Sequence, residues 1–208
     1  MKFEAFLNEV EACNETFRRC IADYHKTNDI DADEPKGPDG FQGLIYSKCW
    51  IDTVQWHLED EIRRTDIDPD EALSFKRRID ASNQARTDMV EQLDDRYLER
   101  FQEVKPNADA RLNTESPAWA MDRLSILALK IFHMKEEADR EDADAAHREK
   151  CRQKLAVLMV QQEDLTRSIA QLLEDIYSGQ RIMKVYRQMK MYNDPSLNPV
   201  LYKSGQEG

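Results

Sequence analysis

The 208-residue chain is short of the residues that make turns, with six glycines and seven prolines. That scarcity argues against an all-β fold built on many turns and favours long helices. Cysteines are few and scattered: Cys13, Cys20, Cys49 and Cys151, with no C-x-x-C pair. Such spacing makes no disulfide framework and predicts free thiols in a reducing compartment. No apolar run is long enough to span a bilayer, and the opening MKFEAFLNEVEACNETF has acids at intervals instead of the apolar stretch of a signal peptide. The expectation is therefore a cytoplasmic protein without membrane insertion. Basic residues are outnumbered, 30 against 41 acids, giving a net charge of −11. With a pI near 4.9, a general nucleic-acid-binding role is not expected.

The familiar motifs of helical enzymes are also missing. His25, His57, His133 and His147 are each followed by a residue other than aspartate, so there is no His-Asp dyad. None has a glutamate three positions before it, which excludes the Glu-x-x-His of di-iron bundles. There is no H-E-x-x-H, no phosphate-binding loop and no dinucleotide glycine fingerprint. Glu91 and Asp94 have E-x-x-D spacing, but the E-x-x-E that would complete a magnesium site of the pyrophosphatase kind is absent. Asp29, Asp31 and Asp33 begin like a calcium loop, yet Glu34 and Gly40 stand where glycine and glutamate are needed. Nothing marks a cysteine as activated. Whether the chain is an enzyme, and with what cofactor, is left open.

What is present is helical periodicity, in a chain 34% charged and 40% apolar. Phe3, Phe6, Leu7, Val10, Phe17, Ile21 and Tyr24 put a first amphipathic helix over residues 3–26. Asp39 and Gln42 have the spacing of a capping box, opening a helix to about Arg64 with a stripe of Leu44, Ser47, Ile51, Val54, Leu58 and Ile62. Asp68-Pro69 starts a third helix reaching about Val104. Its stripe is Ala72, Phe75, Ile79, Asn83, Arg86, Val90, Leu93, Tyr97 and Phe101, so two successive core positions are polar. Ser116-Pro117 opens the most apolar helix, to about Met134, which belongs inside a bundle. The acid-rich stretch after His133 reads as a helix end or exposed turn. A last helix follows over Cys151–Tyr177, with Leu155, Leu158, Met159, Leu165, Ile169, Leu172, Leu173 and Ile176 on its apolar side. The fold class expected is all-α: an elongated bundle of about five helices over residues 1–178. Residues 179–208 form an irregular basic tail packing on the body or on a second subunit.

Charged groups on apolar helices need partners. The candidate ligand-binding residues are His57, Asp60, Glu61 and Arg63 on the second helix, Asn83, Arg86 and Asp88 on the third, and Asp122, Arg123, Lys130 and His133 on the central one. His57, Glu61 and His133 are the candidates for a metal. Basic members of the set suit a carboxylate or phosphate. The competing reading is a structural ion-pair network that fixes helix register. In either case Asp122, Arg123 or Lys130 is expected to meet Arg86, Asn83 or the His57 face across the bundle.

Three segments, Cys49–Arg63, Ile79–Asp94 and Asn113–Met134, carry the patterns W-H-x-E-D, N-Q-x-R-x-D-x-V-E and D-R-L-S-I-L-x-L-K. In these the chain resembles an uncharacterised bacterial family, a domain of unknown function typical of Bacteroidetes. The resemblance covers nearly the whole length, including the ending KMYNDPSLNPVLY. It implies an all-helical fold and motif positions at Trp56, His57, Glu59 and Asp60; Asn83, Gln84, Arg86, Asp88 and Glu91; and Asp122, Arg123, Ser125 and Lys130. It implies no known activity, only a gene neighbourhood of sugar transferases in envelope glycan synthesis. Three functions remain. The first is a cytoplasmic protein that binds a small anionic ligand between helices or assists a partner enzyme. The second is a metal-dependent hydrolase or transferase. The third is a structural protein that homodimerises through its helices and tail.

Overall fold

A computed structural model describes residues 2–189 and 196–197. It contains five helices: α1 Lys2–Tyr24, α2 Gly40–Glu61, α3 Pro69–Phe101, α4 Pro117–Asp139 and α5 Ala145–Tyr177. Among the described residues there is no strand, only one isolated bridge between Arg111 and Arg181. The protein is an all-α bundle. At 1.5 Å per residue, the 33-residue helices α3 and α5 are each about 50 Å long.

Local chemistry sets most helix starts. Asp68 accepts hydrogen bonds from the backbone N–H groups of Asp70 and Glu71, Ser116 accepts one from Trp119, and Asp144 accepts one from His147. Proline follows at the first position of α3 and α4, where it has no N–H to waste. The capping box expected for α2 does not form, since the Asp39 side chain makes no cap bond. Gln42 turns instead to α1, accepting from the Thr16 hydroxyl at 2.6 Å and donating to Cys13 Sγ at 3.7 Å. A tertiary partner has outcompeted the local one. The acid-rich segment likewise does more than end a helix. α4 continues through it to Asp139, and α5 starts at Ala145, well before Cys151.

α4 packs against all four other helices. Ala118, Ala120, Met121, Leu124, Leu127, Ala128 and Leu129 are buried along it, and the alanines let neighbouring backbones approach. The α3 stripe is buried at Phe75, Ile79, Val90, Leu93, Tyr97 and Phe101. Two other stripes differ from the sequence reading. In the first half of α2 the buried face is Ile45, Lys48, Cys49, Asp52 and Thr53, while Leu44, Ser47 and Ile51 are only partly covered. This helix touches α1, α3 and α4, so more than one face is enclosed. In α5 Met159 is exposed, along with Val157 and Val160, because burial becomes continuous only from Thr166 onward.

After α5 the chain turns at Gly179, with φ +76. Ile182 N–H then donates to Arg111 O, and the Arg187 guanidinium pairs with Glu91 and Asp95 on α3. Residues 190–195 and 198–208, which hold most of the expected tail, lie outside the described residues. Gly179→Ala is expected to cost about 1–2 kcal/mol from the left-handed backbone alone. A Cβ there would also sit 2.9 Å from the Lys105 carbonyl oxygen. Urea denaturation measures it, and an unchanged midpoint would refute the constraint.

Candidate functional site

Where α2, α3 and α4 meet, four charged groups form one network. Lys48, 1% exposed, places its ammonium 2.5 Å from Asp52 Oδ2 and 2.7 Å from Asp122 Oδ1. It also donates to the Asp122 backbone carbonyl at 3.2 Å. Arg86 grips Asp122 with two nitrogens, Nε reaching Oδ1 at 2.8 Å and Nη2 reaching Oδ2, and stands 3.5 Å from Asp52. Ser125 donates its hydroxyl to Asp52 Oδ2 at 2.6 Å. Two cations and two anions leave the network formally neutral. Such a set can stay buried because each charge has an opposite within hydrogen-bonding reach.

The two carboxyls are nevertheless unequal. Burial raises Asp52; the adjacent Lys48 opposes this and the Asp122 charge reinforces it. Burial acts on Asp122 as well, but Arg86 and Lys48 hold it below the ordinary carboxylate range. Asp52 is thus the member that takes up a proton first, a division of roles typical of paired carboxyls in different surroundings. Its Oδ1 is buried without a hydrogen-bond partner among the described residues.

Two solvent-facing grooves flank the network, and Arg86 with Ile126 lines both. The first, about 410 Å3, lies over Asp52, Trp56, Glu59, Asp60 and Arg63. The second, about 530 Å3, runs between α4 and α5 and takes in Asp122, Arg123 and Lys130, with Gln161, Asp164 and Ser168 opposite. Arg86 keeps 26% of its side chain exposed there. Arg123 pairs with Glu115 at 3.1 Å, and Lys130 is exposed.

Other residues singled out in the sequence sit elsewhere. Asn83 accepts a bond from Gln55 Nε2 at 2.9 Å, tying α3 to α2. Asp88 accepts from Gln84 at 2.7 Å on the exposed face of α3. Glu61 pairs with Arg64 at 3.1 Å and Arg63 with Glu59 at 3.0 Å. Glu61 therefore does not turn toward His57. His57 instead meets His133, together with His25 at the end of α1, one ring nitrogen of each lying within 4.8 Å of the other two. A second group, Glu137, His147 and Cys151, joins the end of α4 to the start of α5. Its members bond internally, His147 Nε2 being 2.8 Å from Glu137 Oε2 and 3.4 Å from Cys151 Sγ.

Sequence reasoning missed Lys48, Asp52 and His25. A signal for the first two was available: between Phe41 and Leu58 they are the only Lys, Arg, Asp or Glu residues, and they stand one helical turn apart. His25 had none, because its partners come from two other helices. In the sequence Asp94 is only half of an incomplete E-x-x-E/E-x-x-D motif. It is 1% exposed, lines a third hollow of about 490 Å3 beneath residues 182–188, and has neither carboxylate oxygen hydrogen-bonded among the described residues. Burial raises it to about 6; Ser116 is the strongest opposing influence, without reaching good bonding geometry.

Among the described residues no helix is long and apolar enough to cross a membrane. No curated protein and no solved structure matches the chain significantly. A family described as "Protein of unknown function (DUF4254)" matches residues 42–185, a span holding the charge network, both of its grooves and two of the three clustered histidines. The chain therefore belongs to that family of unknown function.

Proposed function

We propose that the protein binds a small anionic ligand in the groove between α4 and α5. The observation that carries this reading is the convergence of Arg86, Arg123 and Lys130 on one solvent-facing hollow. Arg86 is suited to the task because Asp122 fixes its guanidinium from behind, so little side-chain entropy is lost when a phosphate or carboxylate arrives. Asp164 and Ser168 on the α5 wall offer acceptors for ligand hydroxyls. A hydroxyl-bearing anion such as a sugar phosphate fits that combination. It also agrees with the link to envelope glycan synthesis that the sequence resemblance suggests, whether the protein acts by itself or beside a partner enzyme. Four free cysteines are consistent with a cytoplasmic setting.

The reading is tested by calorimetric titration with inorganic phosphate, a hexose phosphate and a nucleoside-diphosphate hexose. At least one is expected to bind, and more weakly as salt is raised. The double variant Arg123→Met with Lys130→Met should reduce affinity about tenfold or more, the loss of one to two charge-assisted bonds. Both residues are exposed, so the fold should survive. Affinity unchanged in that variant, or no binding by any of the three probes, would refute the proposal.

A further inference from the structure

The three histidines are separate from the anion groove, and the inference drawn from them does not depend on it. Their ring centroids stand 5.1 Å apart for His25 and His57, 5.2 Å for His25 and His133, and 5.4 Å for His57 and His133. This is a nearly equilateral triangle with every ring steeply inclined to the others, the angles being 64°, 62° and 75°.

The hydrogen bonds behind the rings decide where their lone pairs lie. His25 Nδ1 is 2.7 Å from the Ile21 carbonyl oxygen, which can only accept, so Nδ1 carries the proton and Nε2 of the neutral ring is a lone pair. His133 Nδ1 is 2.9 Å from Glu136 Oε2, with the same consequence. Its Nε2 is buried without a hydrogen-bond partner among the described residues. His57 Nε2 faces His25 Nε2 at 3.3 Å. Tyr24 stacks on His57 and Trp56 on His133, holding the rings in place. Were the three merely packed as core aromatics, one buried acceptor would remain orphaned, and a proton on His57 could satisfy only His25.

We propose that His25, His57 and His133 bind one divalent transition-metal ion of the zinc type through their Nε2 atoms, leaving a fourth position open. A carbonyl or carboxylate behind a histidine is the usual outer support of such a ligand, because it fixes the tautomer and makes the coordinating nitrogen more basic. The dimensions agree. Zinc–nitrogen bonds of about 2.0–2.1 Å in a tetrahedron put neighbouring ligand atoms about 3.3 Å apart. The His25–His57 pair already has that spacing. One ring nitrogen from each histidine lies within 4.8 Å of those of the other two, so the remaining edges need to contract by no more than about 1.5 Å. Burial pushes both His57 and His133 toward the neutral imidazole, the form that binds a metal. Asp60 and Glu136 add negative potential beside them. Three imidazoles with an open position suit zinc better than calcium or magnesium, which prefer oxygen.

The test is titration of the chelator-stripped full-length protein with Co2+, a spectroscopic stand-in for Zn2+. One Co2+ per chain is expected, with visible absorption of a low-coordinate nitrogen site, displaced by Zn2+. Glu136→Gln, which touches only the support, should weaken binding about tenfold or more. His133→Gln should weaken it further, and His147→Ala should leave it unchanged. Circular dichroism verifies that each variant folds. Independently of any variant, Zn2+ should shift the imidazole NMR signals of His25, His57 and His133 in the wild-type chain and leave those of His147 in place. No Co2+ uptake by the folded wild type, uptake that depends on His147, or NMR shifts confined to His147 overturns the proposal.

Discussion

Lys48→Met is expected to destabilise the protein by about 3–5 kcal/mol, because it leaves two buried carboxyls sharing a single cation. For a chain of this size that lowers the melting temperature by roughly 6–20 °C. The magnitude follows from the position of the ammonium. It is almost wholly inaccessible, bridges Asp52 on its own helix to Asp122 on α4, and also caps an Asp122 carbonyl. Methionine matches its length but offers nothing to either anion. Adding Asp52→Leu to the same protein should restore much of the loss, since the remaining pair of Arg86 and Asp122 is balanced by itself. Thermal melts followed by circular dichroism decide the matter. A single variant within about 1 kcal/mol of wild type would mean that water, not the opposing charges, solvates this network.

The second large effect has the opposite sign. Asp94→Asn is expected to stabilise the protein at pH 7 by about 2 kcal/mol. Its carboxyl is buried without a hydrogen bond among the described residues, and its pKa is raised from 3.8 to about 6. Ionising such a group at neutral pH costs about 3 kcal/mol relative to the unfolded chain. Part of that should be lost again in burying the asparagine amide. A raised carboxyl favours folding fully below the unfolded value, and the advantage fades as pH climbs through the folded one. The difference between variant and wild type should therefore be near zero around pH 4, grow up to about pH 6, and then level off. Other acids facing this position, Glu91 and Asp95, are shared by both proteins, as is Arg187, so they cancel in the comparison. A stability difference that is flat with pH would show that Asp94 does not titrate in this window.

Both effects concern residues whose importance the sequence only half disclosed. Arg86 and Asp122 were conspicuous, one breaking the apolar stripe of α3 and the other sitting in the most apolar helix, and they do bond across the bundle. Lys48 was hidden because the predicted α2 stripe ran through Leu44, Ser47 and Ile51, whereas the helix buries the neighbouring face. Periodicity finds one buried face, and a helix enclosed on several sides has more than one. Glu61, named with His57 as a metal candidate, pairs with Arg64 at the end of its own helix.

The sequence by itself determined what depends on neighbours along the chain. It specified the helical class, the caps at Asp68 and Ser116 with the prolines that follow them, and the apolar stripe of α3 with its two polar gaps. These rest on hydrogen bonds and periodicities spanning a few residues, so they can be read in one dimension. Tertiary structure alone decided which charges neutralise which, that Gln42 would leave its cap for α1, and that a histidine after α1 would join one on α2 and one on α4. Those partners come from separate helices, and their meeting depends on the rotation of each helix about its own axis. That rotation is set by packing of the whole core, which no local pattern encodes.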